Sequence, residues 1–117
     1  MCLVVDDNQV NRDIVSRHLF HFKITHDLAA SGQEAVELAK LHRYQFILMD
    51  ISMPDMDGFE STSLIRQDGL SKDSPIIAHT TLNYEPTFFE TKGLNDYLSK
   101  PFKREALQQI VGKYSKN

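Results

Sequence analysis

The chain has 117 residues, 41% apolar and 25% charged, with 13 basic against 16 acidic side chains and a net charge of −3. Such a composition belongs to a globular chain with room for one core and excludes a disordered or fibrous protein. The mildly acidic balance counts against direct nucleic-acid binding. The lone Cys2 excludes an internal disulfide or cysteine-rich metal site, and no apolar run reaches the ~20 residues that span a bilayer.

Leu3-Val4-Val5 is β-rich and stops at Asp6-Asp7-Asn8, a strand followed by a turn. Over 9–21, Val10, Ile14 and Leu19 suit a helix packed on one side. Residues 22–27 read as the second strand, with Phe22, Ile24 and Thr25 as its strand formers. Ser31 three residues before Glu34 is a capping box, so a helix starts there and continues through Val36, Leu38, Ala39 and Leu41. The unbroken run Phe46-Ile47-Leu48-Met49, ending at Asp50, is the pattern of a strand buried on both faces. Pro54 and Gly58 punctuate a loop over 51–58. A helix over 59–67 and a polar connection over 68–74 follow.

Pro75 opens a fourth strand through Ile76, Ile77 and Ala78 to Thr80. Pro86 in a first turn and Gly93 after the last one bracket a short fourth helix. Its adjacent Phe88 and Phe89 cannot both face the core, which leaves one of them for the surface or a partner. Asp96-Tyr97-Leu98 is a fifth strand, and a last helix runs from Phe102 with Leu107, Ile110, Val111 and Tyr114 on one stripe. Residues 100–117 hold 5 basic and 1 acidic side chain, which reads as that helix's solvated face. Met1 leads straight into the first strand without a basic leader or cleavage signal, so a cytoplasmic chain with no membrane contact is expected.

Five strands alternating with five helices predict a parallel sheet covered on both faces, with its crevice beyond the carboxyl ends of the strands. Asp6 and Asp7 end the first strand, Asp50 the third and Thr80 the fourth, and Lys100 follows the fifth. Alone, an Asp-Asp pair is a turn and a helix cap; the combination is what points to chemistry. Three carboxylates in one crevice repel one another, and a hard, oxygen-seeking cation relieves that repulsion, Mg²⁺ best of all, with Mn²⁺ as a substitute. The scattered His18, His21, His26, His42 and His79 make no zinc site, and His79 points to the opposite face of its strand from Thr80. Lys100 offers a fixed cation, and Thr80 a hydroxyl, to incoming phosphoryl oxygens.

Four stretches resemble the receiver domain of two-component response regulators and hybrid histidine kinases. They are Leu3-Val4-Val5-Asp6-Asp7-Asn8, the run from Ile47 to Gly58, Pro75-Ile76-Ile77-Ala78-His79-Thr80, and the run from Gly93 to Phe102. The resemblance implies a doubly wound (βα)5 fold of strand order 2-1-3-4-5, with residues 1–117 forming a single receiver domain. It implies that Asp50 accepts a phosphoryl group from a phosphohistidine donor in a Mg²⁺-dependent reaction. Asp6, Asp7, Asp50 and the backbone carbonyl of Ser52 match the metal ligands, and Thr80 and Lys100 match residues that contact the phosphoryl group. Thr80 and Tyr97 match a switch pair acting on the surface of the fourth helix, fifth strand and fifth helix, where an effector or second copy would bind. The implied partner is a histidine kinase dimerisation or histidine phosphotransfer domain. Ser52 and Leu82 flank the path of an attacking water, and Leu82 cannot orient one, so slow self-dephosphorylation is expected. Two other readings are a docking or dimerisation module independent of phosphorylation and a small Mg²⁺-dependent phosphohydrolase with Asp55 as its acid–base.

Overall fold

Among residues 1–115, which the computed structural model describes, five strands alternate with five helices. The strands are β1 (Cys2–Val5), β2 (His26–Ala29), β3 (Ile47–Asp50), β4 (Ile76–Thr80) and β5 (Asp96–Ser99). The helices are α1 (Gln9–His21), α2 (Gly32–Leu41), α3 (Gly58–Gln67), α4 (Pro86–Thr91) and α5 (Arg104–Tyr114). All strand pairings are parallel, in the order β2-β1-β3-β4-β5, so the doubly wound (βα)5 arrangement is realised.

Alternate residues of each central strand feed two different cores. Leu3, Val5, Ile47, Met49, Ile76 and Ala78 pack with Val36 of α2, Ile65 of α3 and Phe89 of α4. Val4, Leu48, Ile77 and Leu98 pack with Val15 and Leu19 of α1 and Leu107 and Ile110 of α5. Burial on both faces explains the unbroken apolar run of β3, and each such side chain contributes roughly 1.5–3 kcal/mol. Among the described residues no helix is long and apolar enough to cross a membrane.

Local signals set most helix ends. Asn8, Ser31 and Asp57 each accept the backbone N–H three residues on, from Asn11, Glu34 and Glu60. Glu34 closes the box on Ala30 N–H at 2.7 Å, one residue upstream of the cap. Pro86 opens α4, and Gly93, at φ +87°, ends it. Phe89 is the buried member of its pair and Phe88 is half-buried.

Three expectations need correction. The second strand is His26–Ala29 rather than 22–27. Phe22 N–H bonds the His18 carbonyl and Ile24 N–H the Leu19 carbonyl, so this segment terminates α1 before pairing with β1 begins at Cys2 and His26. On α1 the buried stripe is Val15 and Leu19, four residues apart, while Val10 is 64% exposed and Ile14 41%. Leu41, placed with the apolar face of α2, is 69% exposed at that helix's last turn. Two starts shift slightly: α3 begins at Gly58, capped by Asp57, and α5 at Arg104. Of the basic tail, Lys113 reaches Asp96 at 3.3 Å, and Lys116 lies outside the described residues.

Gly58 packs directly behind Asp50. A Cβ there would overlap the Asp50 carbonyl oxygen and lie 2.8 Å from Ile51 Cα, whereas one on Gly112, exposed within α5, meets nothing within 4 Å. Gly58→Ala is therefore expected to destabilise by about 1–3 kcal/mol and Gly112→Ala to stabilise by about 0.5–1 kcal/mol. Urea midpoints moving in the same direction for both variants would contradict this packing.

Candidate functional site

The carboxyl ends of β1 and β3 are neighbours in the sheet, so Asp6, just past β1, and Asp50, the last residue of β3, meet there. Both are buried, at 2% and 3% exposure, while Asp7 is exposed. Oxygens of the three carboxylates lie within 4.8 Å of one another. Lys100, just past β5, extends its Nζ between them, 2.9 Å from Asp6 Oδ2 and 3.1 Å from Asp50 Oδ1. Its backbone N–H donates to the Thr80 carbonyl at 2.9 Å, which ties the ends of β4 and β5 together beside the cluster.

Asp50 titrates at about 6, above the ordinary carboxylate range. Burial is the main cause, and the charge of Asp6 adds to it against the opposing pull of Lys100. For Lys100 burial favours the neutral amine, but hydrogen bonds and charge from Asp6 and Asp50 outweigh it and raise its pKa. One ammonium cannot compensate three carboxylates. Oxygen donors this close, with two of them buried, suit a small hard divalent cation, and the acidic triad fits Mg²⁺. No histidine or cysteine belongs to a metal-holding group among the described residues.

The other expected residues lie at or beyond the carboxyl ends of β3 and β4 in the chain. Thr80 is buried at the end of β4, and its Oγ1 accepts Leu82 N–H at 3.0 Å. Ser52 is exposed in the loop after β3, and Leu82 is 39% exposed beyond β4. Asp55 is exposed at the loop tip with φ +68°. His79 lies in register with Asp50, its ring 5.4 Å from that of Phe102 on the α1–α5 side. Its Nε2 is buried without a hydrogen-bond partner. Burial, and then the charge of Lys100, pull its pKa down to about 4.

Tyr97 is 45% exposed and stacks on buried Phe89, with centroids 5.6 Å apart and planes at 19°. Phe89 in turn meets Tyr84, Phe88 and Phe59, so the outward ring of Tyr97 belongs to an aromatic cluster spanning α3, α4 and β5. Sequence reasoning missed Arg12, whose Nη1 donates to the Asp6 carbonyl at 2.7 Å, and Asn8, whose N–H donates to Asp6 Oδ1 at 2.9 Å. The available signal was their position: Asn8 follows the Asp-Asp pair directly as the cap of α1, and Arg12 lies within that helix shortly after it.

A model of the response regulator receiver domain matches residues 2–112. Hybrid signal transduction histidine kinase G of Dictyostelium discoideum is 39% identical over 96% of this chain, and the match covers 3% of that protein. The first curated relatives are far longer than this chain, which spans 3–18% of their length. The receiver domain of sensor histidine kinase PA1611 from Pseudomonas aeruginosa PAO1, solved with a magnesium ion coordinated in its active site cleft, is 37% identical. Its TM-score is 0.88, with 97% of this chain and 94% of that one covered. The receiver domain of Saccharomyces cerevisiae Ssk1, solved in complex with the histidine phosphotransfer signaling protein Ypd1, is 30% identical at TM-score 0.85. That match covers 97% of this chain and 86% of that one. With the doubly wound sheet and the Asp triad at its carboxyl edge, these matches place the chain in the receiver-domain family of response regulators, whose phosphoacceptor fold it shares.

Proposed function

We propose that this chain, as a single cytoplasmic receiver unit, takes a phosphoryl group from a phosphohistidine onto Asp50 and answers by changing its α4–β5–α5 surface. The observation that carries the proposal is the Lys100 ammonium bridging Asp6 and Asp50, at 2.9 and 3.1 Å, with Asp7 beside them. Such a site offers a carboxylate nucleophile together with charge to neutralise the oxygens it attacks between. The similarity to a receiver solved with a histidine phosphotransfer protein supports a histidine kinase or phosphotransfer domain as donor.

In the transfer, an ionised Asp50 oxygen bonds to phosphorus as the phosphorus–nitrogen bond of the donor breaks, and the imidazole nitrogen leaves with the bonding pair. Asp6, Asp7 and Asp50, with the Ser52 carbonyl that the resemblance adds, would hold Mg²⁺, and the ion when bound would supply positive charge against the phosphoryl oxygens. Lys100 moves its hydrogen bond from the Asp50 carboxylate to a phosphoryl oxygen. Thr80 accepts Leu82 N–H, which leaves its hydroxyl proton to donate to another. Turning Thr80 toward that oxygen strains the Leu82 contact and so disturbs the loop that carries Tyr84. Tyr84 packs on Phe89, and Phe89 on Tyr97, so the rings of this cluster shift population together.

With Mg²⁺ and a phosphorylated histidine phosphotransfer domain, one phosphoryl adduct per chain is expected, and Asp50→Asn should abolish it. Undiminished adduct in that variant by intact mass would defeat the assignment. Leu82 places bulk and no side-chain hydrogen-bonding group beside the crevice, so Leu82→Asn or Leu82→Glu should hasten decay of the acyl phosphate by roughly tenfold. Equal lifetimes in wild type and both variants would remove Leu82 from the path of water.

A further prediction concerns pH. Because Asp50 is raised to about 6, the metal-free folded state keeps a proton that the unfolded chain has already lost between about pH 4 and 6. Asp50 therefore subtracts stability as pH rises through that window. His79, lowered to about 4, works the other way and subtracts stability as pH falls below its ordinary value. Comparing Asp50→Asn with wild type isolates the first effect. The variant should be more stable at pH 7.5 by roughly 1–3 kcal/mol, a gain that fades toward pH 4. A gain independent of pH in urea titrations would contradict the raised Asp50.

A further inference from the structure

Asp6 is held at every polar group. Its N–H donates to the Ala29 carbonyl at 3.1 Å, Oδ1 accepts Asn8 N–H at 2.9 Å and Oδ2 accepts Lys100 Nζ at 2.9 Å. Its carbonyl oxygen accepts Arg12 Nη1 at 2.7 Å, a short charge-assisted bond reaching back from α1 over six residues. That carbonyl is one edge of the planar peptide linking Asp6 to Asp7. Holding it fixes the direction in which the chain leaves β1, and with it the Cα of Asp7. Asp7 is exposed, yet its carboxylate lies within 4.8 Å of those of Asp6 and Asp50.

We propose that Arg12 is a positioning residue for the divalent cation: by gripping the Asp6 carbonyl it aims the Asp7 carboxylate into the space shared with Asp6 and Asp50. The inference rests on the reading of that triad as a Mg²⁺ site and adds a residue to it that is not itself a ligand. Its sign separates it from simple electrostatics. A guanidinium near a cation site repels the cation, so charge alone predicts tighter binding when Arg12 is neutralised. Positioning predicts weaker binding, because the third carboxylate loses its aim.

The test is a calorimetric Mg²⁺ titration of the unphosphorylated chain, with amide NMR to verify the fold, on wild type, Arg12→Met and Arg12→Lys. Arg12→Met is expected to bind Mg²⁺ about tenfold more weakly and to alter the metal-induced shift of the Asp7 amide. Arg12→Lys, which keeps a cationic donor of similar reach, should recover most of the affinity. Binding by Arg12→Met as tight as wild type, or tighter, overturns the proposal while leaving the triad intact as a metal site. A wild-type chain with no saturable Mg²⁺ response overturns the metal reading itself. Should Arg12→Met not fold, the Arg12 guanidinium resonances of the wild type decide. Slow rotation about the Cζ–Nε bond is expected of a group pinned at the Asp6 carbonyl, and free rotation overturns the proposal.

Discussion

Two buried carboxylates from adjacent strands share one ammonium from a third strand's end, and the arrangement at the carboxyl edge of the sheet follows from that contact. Asp6 and Asp50 meet because β1 and β3 are neighbours. Lys100 reaches them across the end of β4, guided by its backbone bond to the Thr80 carbonyl. Removing charges of one sign from water is costly unless they are paired, and pairing here is incomplete. Burial first, and then the charge of Asp6, raise the pKa of Asp50 against the pull of Lys100. A site left with surplus negative charge favours whatever brings compensating charge, and this is the physical link between the apolar sheet and divalent-metal binding.

The apolar layers make such crowding tolerable. β1, β3 and β4 are buried along their whole length, and both helical layers pack against them. Backbone positions at the strand ends are therefore set by cores on both faces rather than by the charges themselves. Gly58 extends this constraint to the loop behind Asp50, where α3 starts too close to the strand for any side chain.

The α4 region is built differently. Its cap residue Glu85 makes no side-chain bond, and residues 81–87 before and at its start are exposed. At its other end, Arg66 of α3 donates to the carbonyls of Gly93, Lys72 and Ser74 and to Asn95 Oδ1. The helix is thus firmly tied at the pole remote from the Asp cluster and lightly held at the pole beside it. Between the two lies the ring cluster of Phe59, Tyr84, Phe88, Phe89 and Tyr97, with the Lys92 ammonium 5.5 Å from the Phe88 centroid. Aromatic pairs of this kind contribute about 0.5–1.5 kcal/mol each, comparable to a single hydrogen bond.

Much of this was legible in the order of residues. The run Phe46-Ile47-Leu48-Met49, the Ser31 cap, Pro86 and Gly93 act within a few positions of themselves, and each marked its element correctly. The acidic and basic residues at the strand ends were also visible, because strand ends in an alternating β/α pattern face one crevice. Features that depend on contacts between distant segments were not visible. Ile24 has a strand-forming side chain, yet its N–H is spent on ending α1, and pairing with β1 opens only at the Thr25 carbonyl, which accepts Cys2 N–H just before β2 starts. Val10 and Ile14 are as apolar as Val15, and only the placement of α1 on the sheet turned Val15 inward. The outward stacking of Tyr97 on Phe89 and the grip of Arg12 on the Asp6 carbonyl were likewise decided by tertiary structure. The sequence by itself determined the succession of elements, since propensity, capping and periodicity are local. Which face was buried, which carboxylates met and which cation bridged them were decided only when the parallel sheet brought together residues as far apart as Asp6 and Lys100, because Coulomb and packing energies depend on separation in space.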